Sequence, residues 1–154
     1  MSVAPSPLAF LAPITQGELP DWAHRARLAV DLRVGEVSPT ATALAKLTAQ
    51  EYKAFRGRWR NLLLASKVPR GLALQRVGFV VVRVTPHAAR WDSAVGGLKP
   101  LLDCLMPTGT AYPDGLHVIE GAMPSNMPIG VHLVQRLVPT HEPHGTLVQI
   151  YDLT

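Results

Sequence analysis

The stretch Val77 to Val84, VGFVVVRV, constrains this chain more than any other. Its residues are β-branched or apolar on both faces except for Arg83, and such a run suits a central strand. Thr85-Pro86 stops it. The remaining segments are then read as the neighbours of this strand.

Upstream, LAVDLRV alternates Leu28, Val30, Leu32 and Val34 with Ala29, Asp31 and Arg33, the period of a half-buried strand. Gly35 and Ser38-Pro39 end it. Val37 to Lys46 reads as a loop or a weak helical turn. Thr48-Ala49-Gln50-Glu51 is a capping-box pattern that opens a helix running to about Ser66, ahead of Val68-Pro69. Tyr52, Phe55, Trp59, Leu62 and Leu63 give it a core face, and its length and cap outweigh the cost of about 1 kcal/mol for Gly57. Lys53, Arg56, Arg60 and Lys67 follow the same spacing on a neighbouring face. That basic face is either a solvated helix surface or a rail that contacts phosphates.

Downstream, Gly96-Gly97 precedes a helical period of Leu98, Leu101, Leu102 and Leu105. Pro100 is tolerated only in a first turn, which places the helix start near Leu98 or Lys99 and its end at Met106-Pro107. Thr108 to Gly115 is turn-rich, Leu116 to Ile119 reads as a short strand, and Gly121 to Pro128 as a loop. Ile129 to Val138 and Thr146 to Leu153 read as strands, and the turn from Pro139 to Gly145 suggests that they form an antiparallel hairpin. The expected fold is α+β, a mixed, largely antiparallel sheet with helices mainly on one face. Residues 1–27, with Pro5, Pro7, Pro13 and Pro20, form a proline-rich arm ahead of a domain at 28–154.

Composition narrows the function classes. A chain of 154 residues with 47% hydrophobic and 17% charged residues fits one globular domain rather than a disordered segment. A net charge of +4 allows an anionic partner such as nucleic acid. The single cysteine, Cys104, excludes an internal disulfide and fits a reducing, cytoplasmic setting, and its leucine neighbours suit a buried thiol. Nothing approaches the ~20 apolar residues of a membrane span, and the N-terminus lacks the basic opening of a signal peptide. A Cys/His metal cluster, a P-loop and a G-x-G-x-x-G pattern are all missing from the sequence. Gly96-Gly97 is either an anion cradle or a plain loop-to-helix joint. His87, His117, His141 and His144 read as ordinary surface or loop histidines.

One constellation remains, spread over Arg90-Trp91-Asp92, the helix Lys99-Pro100-Leu101-Leu102-Asp103-Cys104-Leu105, and Tyr112-Pro113-Asp114 before a valine-containing segment. With these motifs in this order, the chain from Leu28 to Leu153 resembles the RusA-like Holliday junction resolvases, small homodimeric endonucleases common in phages and prophages. That family pairs a basic helix and a central strand with Asp-x-Asp-Asn-x-x-Lys, then Asp-x-Leu in a helix, then an Asp-Asp pair. Lys99, Asp103 and Asp114 are in register with it. Ser93 and Val95 stand where the first two aspartates belong, Gly96 replaces the asparagine, and Pro113-Asp114 replaces the acidic pair. Asp92 reaches the first aspartate position with a one-residue shift.

The resemblance implies an Mg²⁺-dependent endonuclease acting on Holliday junctions or other branched DNA, as a homodimer. Asp92 and Asp114 would hold the metal, with Lys99 completing the catalytic set. Lys53, Arg56, Arg60, Lys67 and Arg90 would contact nucleic acid. The alternative is a catalytically inactive DNA-binding or assembly protein of the same fold. A third reading is an α+β interaction module whose basic charge is incidental. Taken singly, Asp92 suits a turn or helix cap, Asp114 a Pro-Asp-Gly turn, Lys99 a solvated helix position, and Asp103 a helix surface or helix-packing position.

Overall fold

Strand β2 (Val77–Thr85) runs through the middle of the molecule, and all of its residues but Val77 are buried. The computed structural model describes residues 11–120 and 130–153. The loop expected over 121–128, Ile129 and the first ten residues of the arm lie outside the described residues. In chain order the other elements are a 3-10 turn (Gln16–Glu18), α1 (Asp21–His24), β1 (Arg27–Val34), α2 (Ala41–Ala45) and α3 (Ala49–Ala65). After β2 come α4 (Trp91–Gly96), α5 (Lys99–Leu105), β3 (Val131–Leu137) and β4 (Gly145–Asp152).

The four strands form one sheet in the order β1-β4-β2-β3. β4 is antiparallel to both β1 and β2, and β3 is parallel to β2. This is an α+β fold on a mixed, mostly antiparallel sheet. The expected hairpin is not formed: β3 and β4 flank β2 instead of pairing with each other. The most apolar strand takes a sheet interior position with a hydrogen-bonded neighbour on each side, which satisfies its backbone away from water.

Period-two alternation sorts the side chains into two faces. Phe79 and Val81 of β2, Val30, Leu32 and Val34 of β1, Leu133 of β3, and Val148 and Ile150 of β4 meet the helices in the main core. There they pack with Trp59 and Leu63 of α3 and with Leu101, Leu102 and Leu105 of α5. Trp59 and Leu63 are fully buried, and truncating such a leucine to alanine costs about 2–5 kcal/mol. The opposite face, with Val80, Val82, Val84, Leu147 and Tyr151, is covered by the arm through Leu11, Ile14, Leu19, Trp22 and Ala23. Residues 11–26 are therefore a second layer on the sheet. Arg136 of β3 clasps that layer, donating to both Glu18 carboxylate oxygens and to the carbonyls of Ala12 and Pro13.

Leu28 departs from the expected alternation. A register shift between Leu28 and Val30 turns it outward, and it is among the exposed large apolar residues. Leu116, Val118 and Ile119 are buried, His117 is exposed with a positive φ of 53°, and the segment joins no sheet. Their amides donate to the carbonyls of Cys104, Leu105 and Met106 at the end of α5, and those of Gly71 and Leu72 donate to His117 and Val118. The segment caps a helix and zips to a loop, so its apolar content reflects burial rather than strand pairing. No helix among the described residues is long and apolar enough to cross a membrane.

Candidate nucleic-acid interface

Helix α3 forms where the cap predicts it. The Thr48 hydroxyl accepts from the Glu51 amide at 3.1 Å, and the Glu51 carboxylate accepts from the Thr48 amide at 2.9 Å. The Thr48 amide first, and then the Thr48 hydroxyl, hold the Glu51 carboxyl below its usual range. With Trp59 and Leu63 turned to the core, Tyr52 and Arg56 are left half-buried toward α5, Arg60 lies one turn further along, and Lys53 is exposed.

Helix α5 begins with Pro100 in its first turn, where a missing N–H costs nothing. Its leucines are buried, and Lys99 and Asp103 pair one turn apart at 2.9 Å. A cation in the first turn opposes the helix dipole. The Asp103 hydrogen bond offsets this and pushes the Lys99 ammonium above its usual range, against the effect of burial.

The turn after α5 brings the third component. Gly115 lies so close to the Met106 carbonyl that a Cβ there would stand 2.4 Å from it, and the Thr108 hydroxyl donates to the Gly115 carbonyl. This closes the turn against the helix end and aims Asp114 at α3. Arg56 Nε then donates to Asp114 Oδ2 at 2.8 Å. That bond raises the affinity of the guanidinium for its proton, again against burial.

Arg56, Lys99, Asp103 and Asp114 thus form two ion pairs around Tyr52. The phenol hydroxyl of Tyr52 is buried without a hydrogen-bond partner among the described residues, and burial raises its pKa. The Arg56 guanidinium stands 5.9 Å from the Tyr52 ring centre. Beneath the pairs, Cys104 donates its thiol weakly to the Arg56 carbonyl at 3.6 Å, and burial pushes its pKa up to about 12. At that value the thiol is not a nucleophile near neutral pH. Lys53 and Arg60 have no ion-pair partner among the described residues, while Arg58 is taken by Glu36 at 2.6 Å.

The other expected site residues lie elsewhere. Asp92, in the first turn of α4, is exposed and pairs with its near neighbour Arg90 at 3.3 Å. Lys67 follows the end of α3 with a positive φ of 58° and is exposed. Ser93 and Val95, at the positions the resemblance gives to aspartates, serve packing: the Ser93 hydroxyl meets Thr42 of α2, and Val95 packs on the main core. Gly97 lets α4 approach the Pro39 carbonyl so closely that a Cβ would stand 1.8 Å from it. The glycine pair is a packing joint between α4 and the segment leading to α2.

Magnesium needs several hard oxygen ligands around one point. Asp114 is committed to Arg56, Asp103 to Lys99 and Asp92 to Arg90. Among the described residues no group of three or more Asp, Glu, His or Cys side chains is placed to hold a metal ion, and residues 1–10 and 121–129 contain none of these types. The side chains as placed do not fit a magnesium centre.

The spacing places Tyr52 on the core face of α3 and Asp103 in register with Lys99 and Asp114, and both belong to this cluster. The sequence reading did not place Tyr52 in the site; the signal that could have done so is its i,i+4 spacing to Arg56. No protein-family model matches the chain, and no curated protein does.

Proposed function

We propose that this chain binds the phosphate backbone of branched DNA through helix α3 without cleaving it, as a divergent homodimeric relative of the RusA-like resolvases. One observation carries the reading. Lys53 and Arg60 flank Arg56 on one side of α3 without ion-pair partners among the described residues, and Lys99 lies in the adjoining helix, so cations outnumber the carboxylates Asp103 and Asp114. Spaced cations on a rigid helix neutralise successive phosphates and carry no sequence readout. The Asp114 bond holds the half-buried Arg56 in place and reduces the entropy lost on binding.

The test is binding of a synthetic four-way junction in EDTA, with salt titration and a sedimentation measurement of the oligomeric state. The cleaving alternative, with Mg²⁺ held by Asp92 and Asp114 and Lys99 facing the phosphate, is read in the same preparation. Nicking that requires Mg²⁺ and disappears in Asp114→Asn would replace the binding-only reading. Absence of junction affinity would leave the interaction-module reading.

A further inference from the structure

We propose that Arg83 and Ser38 bind a small monovalent inorganic anion, of the halide class, inside the C-terminal end of β2. Arg83 is the one charged residue of β2, it lies on the helix-covered face, and it retains only 9% of its surface. It sits in a row across three strands, between Gln135 of β3 and Thr146 of β4. Its two neighbours in that row have hydrogen-bond partners of their own. Gln135 accepts from the Ala89 amide at 2.8 Å and donates to the Ala89 carbonyl at 2.7 Å. The Thr146 hydroxyl accepts from the Ser38 amide at 2.9 Å and donates to the Glu36 carbonyl at 2.7 Å.

Arg83 is only partly engaged. Its Nε donates to the Ser38 carbonyl at 2.8 Å, which brings the two residues together, but Nη1 is buried without a partner among the described residues. The Ser38 hydroxyl is also buried without a partner, on a residue with no exposed surface. A guanidinium can only donate, and a hydroxyl has a proton to donate. Two buried groups that can each donate therefore stand without a partner among the described residues, on side chains joined by the Nε bond to the Ser38 carbonyl.

The guanidinium also lacks a counter-charge. Burial alone pulls its pKa below the usual range, with no carboxylate offsetting it. Glu36, the acidic residue nearest in sequence to Ser38, directs its carboxylate to Arg58 on α3, although its second oxygen is buried and unpartnered as well. Buried charges in proteins are paired, and this one needs a single negative charge that also accepts hydrogen bonds. The near-complete enclosure of both residues limits the species to a small one, and the single guanidinium charge limits it to a monovalent one. Chloride meets these requirements.

Bromide is the probe. Crystals of the full chain soaked in sodium bromide should show an anomalous peak within hydrogen-bonding reach of Arg83 Nη1 and Ser38 Oγ; density for an ordered water alone would overturn the proposal. In solution, the melting temperature should be higher in sodium chloride than in sodium gluconate at equal ionic strength, and equal values for the wild-type chain would overturn it. Arg83→Gln should abolish that chloride-specific increment. Should that variant fail to fold, Ser38→Ala, which removes one donor and leaves the charge, should weaken the chloride dependence about tenfold in apparent affinity; an unchanged dependence counts against the site.

Discussion

Arg56 Nε lies 2.8 Å from Asp114 Oδ2, so a residue in the middle of α3 is bonded to a turn 58 positions later in the chain. The pair joins the two halves of the candidate interface and keeps part of each side chain in contact with solvent. Removing one partner therefore costs less than it would in a fully buried pair and more than in an exposed one. Asp114→Ala is expected to destabilise the fold by about 1–2 kcal/mol, measured by urea denaturation. Asp114→Asn retains an acceptor, costs less, and removes a negative charge next to the proposed phosphate path. Junction binding in EDTA at low salt should be retained or strengthened in Asp114→Asn; a marked loss would show that Asp114 acts through something other than placing Arg56.

Lys53 and Arg60 have no comparable structural duty. Lys53→Ala and Arg60→Ala should each leave the melting temperature nearly unchanged, weaken junction binding, and lower the steepness of its salt dependence by about one unit. Circular dichroism melts and fluorescence anisotropy read the two effects separately. Unchanged binding in the double variant would assign the basic face of α3 to the solvent.

Much of this arrangement was legible in the sequence, and the reasons differ by element. The Thr48–Glu51 box and the apolar spacing locate α3 because both are local signals, set within one or two helical turns. VGFVVVRV marks β2 as central because its composition leaves no polar face. Strand order is not a local property. Nothing in TLVQIYDL states that it will lie between β1 and β2 rather than beside β3. The Leu116–Ile119 segment misleads for a related reason, since apolar content reports burial and not the identity of the hydrogen-bond partner. Within the site, Lys99, Asp103 and Asp114 were found by spacing, whereas the turn of Asp114 toward Arg56 depends on how closely Gly115 packs on Met106.

The arm on the far face of the sheet offers a pH test. Burial pushes the Glu18 carboxyl up, but hydrogen bonds from Arg136 and Thr15 outweigh it and hold the group below its ordinary value. A depressed carboxyl pKa stabilises the folded state above the unfolded value, near about 4.3, and the contribution is lost as pH falls through the folded value. Amide exchange over residues 11–26 should therefore speed up relative to the strands between about pH 6 and about pH 3, after correction for the intrinsic pH dependence of exchange. Arg136→Leu should produce the same local opening at neutral pH. Equal protection of the arm in wild type and variant would show that its apolar contacts suffice.

Gly97 tests the packing of α4. A Cβ there would stand 1.8 Å from the Pro39 carbonyl oxygen and 2.5 Å from its carbon, both backbone atoms. Relief requires the loop or the helix to move, so Gly97→Ala should destabilise by about 1–3 kcal/mol or more, read by thermal or urea denaturation. A loss below about 0.5 kcal/mol, within the range of ordinary surface substitutions, would mean that the Pro39 segment withdraws freely.

The central claim is that α3 presents a phosphate-binding face, and the salt dependence of junction binding in EDTA tests it most directly. With Lys53, Arg56 and Arg60 each neutralising one phosphate, the plot of log K against log salt should be linear with a slope between about −2 and −3. No binding at low salt, or an affinity that does not fall as salt rises, would contradict it.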